Sequence, residues 1–130
     1  MSGEHELARE WLKKADNDLI TAQHTLRLKD GPTDTVCFHA QQVVEKGLKA
    51  LLTYHARSFV KIHNLVLLLD MLTDLYPILD RYREPSALLS AYAVETRYPG
   101  DYVEPDRDEA IAAVEVAEDL LKTIRELIPA

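Results

Sequence analysis

Ala8, Leu12, Ala15, Leu19, Ala22 and Leu26 recur at intervals of four, three, four, three and four residues, with Trp11 beside them. Side chains spaced this way fall on one face of an α-helix, so the first segment reads as an amphipathic helix of about seven turns. One apolar face must be buried against other elements, and the rest of the chain offers more helices. Leucine (20) and alanine (14) make up over a quarter of the 130 residues, and there are only four glycines. That composition favours helix throughout. Gly31-Pro32 ends the first helix, and Thr33 or Asp34 is placed to cap the second.

The second helix is expected over residues 34–55, with Val36, Ala40, Val43, Gly47, Ala50/Leu51 and Tyr54 on its apolar face. Gly47 inside it costs roughly 1 kcal/mol relative to alanine, which fits either close approach of a neighbouring helix or loose packing. Residues 56–62 read as a loop with a short extended piece at 58–60. Asn64 caps a third helix carrying Leu65, Leu68, Leu69, Leu72 and Leu75, stopped by Pro77. Residues 78–84 fit a helical turn or a loop. A fourth helix follows over 85–96, with Leu88, Leu89, Tyr92 and Ala93 inward. After a turn-rich connector, Asp106 caps the last helix, with Asp108 and Glu109 suited to its positive end. Its buried face would hold Ala110, Ala113, Val114, Ala117, Leu120/Leu121, Ile124 and Leu127/Ile128. The expected fold is all-α, an up-and-down bundle of four to five helices forming a single domain over residues 1–130.

Several function classes drop out. The longest apolar runs, residues 65–69 and 110–114, are far short of the about 20 residues a membrane helix needs. The start is too charged for a secretory signal, and the one cysteine, Cys37, cannot form an intrachain disulfide. These features point to a cytoplasmic protein with no membrane partner. A net charge of −7 argues against a duplex-DNA binder. Residues 37–63 nevertheless carry Lys46, Lys49, Arg57 and Lys61 against Glu45 alone, a local patch compatible with a phosphate contact. No glycine-rich phosphate loop, His-x3-His, Cys-x2-Cys or Glu-x2-His spacing occurs, so no metal and no cofactor is expected.

Three places can carry chemistry. His39, Gln42, Lys46 and Lys49 share one polar stripe of the second helix, offering an imidazole, an amide and ammonium donors to a phosphate or base. The same stripe fits a solvated face in which Glu45 and Lys49 pair. Arg97 stands at a helix end before Tyr98, the Pro99-Gly100 turn, Asp101 and Tyr102. The guanidinium can fork onto phosphate oxygens and the tyrosines can stack on a base; the stretch also fits an ordinary turn with Arg97 paired to Glu95 or Asp101. His63 is placed to cap or brace the third helix. His5 and His24 read as surface residues of the first helix, and Cys37 as a packing residue.

The run Cys37-Phe38-His39-Ala40-Gln41-Gln42-Val43-Val44-Glu45-Lys46-Gly47-Leu48-Lys49-Ala50-Leu51-Leu52, then His63-Asn64-Leu65, then Arg97-Tyr98-Pro99 with Tyr102, resembles the HEPN domain family (higher eukaryotes and prokaryotes nucleotide-binding). The likeness extends from about Leu7 to Ile128. It implies a helical bundle that pairs as a homodimer and works beside a minimal nucleotidyltransferase, often as a toxin–antitoxin couple. Members that cleave RNA carry Arg, four to six residues, then His, lining a cleft at the dimer interface. Arg97 matches the first position. Tyr102, Val103 and Glu104 stand where the histidine would be, and none follows His63. Tyrosine, with an ordinary pKa of about 10, is a poor acid–base group near neutrality. In related toxins a tyrosine near this motif is adenylylated by the partner, and Tyr102 is similar to such an acceptor.

The expected site therefore joins Arg97 and Tyr102 to Tyr98, Asp101, His39, Gln42 and Lys46, binding a nucleotide or RNA phosphate. One alternative is a metal-independent ribonuclease in which Arg97 stabilises the phosphorane charge and His39 is the base. Another is a pure dimerisation or interaction module.

Overall fold

The computed structural model describes residues 3–93 and 104–129, and among them there are five α-helices and no strand. Helix α1 covers Gly3–Arg27 and α2 covers Thr33–Tyr54. The pairs His5–Tyr54, Trp11–Lys49 and Asp18–His39 show that the two run antiparallel. Alanines at 8, 15 and 22 face the seam fully buried, and their small side chains let the two backbones approach. Gly31 closes the turn between them because a Cβ there would collide with the Thr25 carbonyl oxygen.

The third leg of the bundle is broken into pieces. Helix α3 (Leu65–Asp70) is followed by turns, a 3₁₀ segment (Pro77–Tyr82), α4 (Arg83–Leu89) and a second 3₁₀ segment (Ser90–Tyr92). Helix α5 (Arg107–Leu127) then runs alongside α2 in the same direction, since Thr33 bonds Pro105 while Gly47 faces Leu120 and Ile124. The four legs alternate in direction, as an up-and-down bundle requires. α2 packs against α1, α3, α4 and α5, and 14 of its 22 residues are buried. It is the central helix.

Several local expectations change. The N-cap of α2 is Pro32, which makes no side-chain cap bond and whose carbonyl accepts from Val36; the Thr33 hydroxyl donates to the Pro105 carbonyl at 2.5 Å, and Asp34 Oδ1 accepts from Thr35 N–H within the first turn. At the other end, Arg57 N–H reaches the Leu52 carbonyl and Ala56 N–H that of Thr53, a Schellman closure with Ala56 at φ 54° where glycine is usual. α3 stops at Asp70 rather than near Leu75, because the Arg57 guanidinium takes the Met71 carbonyl and grips Asp74 with both arms. Leu75 is consequently exposed.

Leu88, expected inward, is 71% exposed. The 3₁₀ segment turns in 3.0 residues rather than 3.6 and shifts the phase, so Leu79, Tyr82, Ser86 and Leu89 form the inner face. Asp106 caps α5 as its sequence suggests, in a capping box with Glu109. No described helix is long and apolar enough to cross a membrane.

Candidate functional site

Polar residues of α2 sort into two groups according to what faces them. His39 and Lys46 lie one above the other on the α1 side, and both reach Asp18. His39 Nδ1 is 2.8 Å from Asp18 Oδ1, and Lys46 Nζ is 2.5 Å from Asp18 Oδ2. The His39 and Lys46 side chains each keep 25% of their surface open, while that of Asp18 keeps 11%. An ionised carboxylate can only accept, so the His39 Nδ1–H is the donor. His39 Nε2 has no hydrogen-bond partner among the described residues.

The second group runs inward. Gln42 Nε2 donates to Gln41 Oε1 at 2.8 Å, Gln41 Nε2 donates to Glu45 Oε1 at 3.0 Å, and Glu45 Oε2 accepts from Lys49 Nζ and His63 Nδ1, each at 2.9 Å. Gln41, Glu45 and Lys49 are buried. The Lys49 ammonium sits 5.7 Å from the Trp11 ring centre and 5.4 Å from that of Phe59, within cation–π range. Burial works against the Glu45 charge, but the hydrogen bonds from His63, Lys49 and Gln41 outweigh it and hold the carboxyl below its ordinary pKa.

The expected stripe is thus divided. Lys49 leaves it for the interior, and the Glu45–Lys49 pair is buried instead of solvated. Gln42 is half-buried and spends its amide on Gln41. His63 does not cap α3, since Asn64 Oδ1 takes the Val66 and Leu67 N–H groups; it braces the start of that helix by bonding Glu45 across on α2. His5 is no plain surface residue, since its ring stacks on Tyr54 with centres 4.3 Å apart. Cys37 packs as expected; burial, with Glu109 next, pushes its thiol up to about 11 against an opposing hydrogen bond with Tyr92. Arg97, Tyr98, Asp101 and Tyr102 lie outside the described residues. Among the described residues, no group of three His, Cys, Asp or Glu is arranged to hold a metal ion.

Asp18 was missed by the reading of the sequence. Its signal was its place: Ala15, Asp18 and Ala22 keep the core spacing, and the structure buries Asp18 while leaving Leu19 half-exposed. A carboxylate at a core position needs partners, and α2 provides them.

These features define a class: an all-helical bundle with a broken third leg and a central helix that turns polar groups inward. Residues 8–127 match the HEPN domain model, and the chain belongs to the HEPN domain family. Among solved structures, TT1696 from Thermus thermophilus is 30% identical with a TM-score of 0.78, over 92% of this chain and 96% of that one. ST0689, an archaeal HEPN homologue, shares the fold at 23% identity and a TM-score of 0.74, over 94% and 98%. No curated protein matches the chain.

Proposed function

We propose that this HEPN domain binds a nucleotide or an RNA phosphate, using Arg97 and Tyr102 with Tyr98, Asp101, His39, Gln42 and Lys46. The observation that supports this most is the Asp18 carboxylate holding an imidazole and an ammonium side by side on a partly open face. An ammonium has three donors, so Lys46 keeps donors for a phosphate after its bond to Asp18. Gln42 is the weakest member, its amide being engaged by Gln41. The domain acts as a homodimer beside a nucleotidyltransferase, in a toxin–antitoxin-like pair; light scattering of the purified chain and co-purification from its native host test these two partners.

Calorimetric titration with ATP, AMP and a short single-stranded RNA, for wild type and Arg97→Ala, tests the binding. Heat that disappears in the variant, with the RNA intact, is the expected result. Cleavage that depends on Arg97 would replace binding by the ribonuclease reading. Absence of both heat and cleavage would leave the interaction module.

A further inference from the structure

We infer that Asp18 is a positioning residue that makes His39 a hydrogen-bond acceptor, so that the site takes a ribose hydroxyl at His39 and a phosphate at Lys46. The inference rests on the nucleotide-binding reading and adds to it which ligand group each side chain meets.

The argument starts from hydrogen-bond direction. Asp18 is buried, and its two oxygens are divided between His39 Nδ1 and Lys46 Nζ at 2.8 and 2.5 Å. A carboxylate has no proton to give, so Nδ1 must carry the hydrogen. In the neutral ring that leaves the lone pair on Nε2, the nitrogen without a hydrogen-bond partner among the described residues. A phosphate oxygen is also an acceptor and gains nothing from such a nitrogen. A hydroxyl does. Lys46, with only donors, is the natural phosphate partner, and Asp18 holds the two groups one carboxylate apart. The pair therefore suits a ligand that offers a hydroxyl and a phosphate on one small frame, as a ribonucleotide does.

Asp18→Asn is a sharp probe because the amide keeps the shape but has one acceptor. Lys46 can only donate, so it claims the amide oxygen. The amide N–H then faces His39 Nδ1 and moves the ring proton to Nε2, the tautomer change known for Asp→Asn beside a histidine.

The first measurement is the nitrogen spectrum of His39 in ¹⁵N-histidine-labelled wild type at neutral pH, which needs no variant to fold. A protonated Nδ1 with a bare Nε2 is expected, reversing in Asp18→Asn. The second is calorimetry with AMP and 2′,3′-dideoxy-AMP. Wild type should prefer AMP roughly tenfold, the worth of one hydrogen bond, and His39→Ala should erase that preference; Asp18→Asn is kept for the ring spectrum, because an Nε2–H would still donate to the hydroxyl oxygen. A wild-type ring protonated at Nε2, equal affinities for the two probes, or a preference that survives in His39→Ala overturns this inference and leaves nucleotide binding standing. No heat with any nucleotide or RNA overturns the ligand assignment together with the proposed function.

Discussion

The two polar groups of α2 are built from the same kinds of residue and differ in what surrounds them. Around Asp18, one carboxylate serves His39 and Lys46, both a quarter open to water. Around Glu45, one carboxylate serves Gln41, Lys49 and His63, with Lys49 enclosed by Trp11 and Phe59. Water can replace a lost partner in the first group. In the second only 7% of the Lys49 side chain is open to it, so the loss of Glu45 leaves a buried charge without its partner. The enclosed group is suited to holding the bundle, and the open one to exchanging partners with a ligand.

The widest gap between them should come from alanine. Glu45→Ala should lose about 3–5 kcal/mol in urea unfolding, and Glu45→Leu combined with Lys49→Met should regain most of it. Acid titration questions the same carboxylate. Its folded pKa is lowered, so its contribution is whole above the unfolded value of about 4.3 and disappears as pH falls through the folded pKa. The wild-type urea midpoint should therefore fall more steeply on acidification than that of Glu45→Gln; parallel curves would count against a charged, hydrogen-bonded Glu45.

Asp18→Ala should cost about 1–2 kcal/mol, because His39 and Lys46 can turn to water. A loss as large as that of Glu45→Ala would break the contrast between the groups. Gly47 supplies a control on the same helix. A Cβ there would stand 3.4 Å from Leu120 Cδ2 and 3.7 Å from Leu121 Cδ1, ordinary contact distances. Gly47→Ala should raise stability by about 0.5–1 kcal/mol, and a marked loss would mean α5 sits closer. Leu88→Gln should change the unfolding free energy in urea least, by under about 0.5 kcal/mol, since most of Leu88 already faces water.

Much of the fold could be read along the chain. The stripes of α1, α2 and α5, the Asn64 and Asp106 caps and the inward packing of Cys37 are local matters of spacing and capping chemistry. The third leg was harder because its 3₁₀ segments reset the helical phase, which put Leu88 outside. The candidate site was legible only in part. His39 and Lys46 were visible as one stripe, but the carboxylate that joins them stands 21 residues before His39 on another helix.

Sequence alone determined α1, α2 and α5 and their apolar faces, because each depends on side chains three or four positions apart. It also carried the resemblance to the HEPN family, through the long run on α2. Tertiary structure decided what became of the charges on that run. Lys46 and Lys49 are three residues apart, yet one meets Asp18 at a partly open edge and the other Glu45 in the interior. The reason is geometric: three residues turn a helix by about 300°, which leaves the two side chains neighbours about 60° apart, and only packing says where the edge between interior and solvent falls between them.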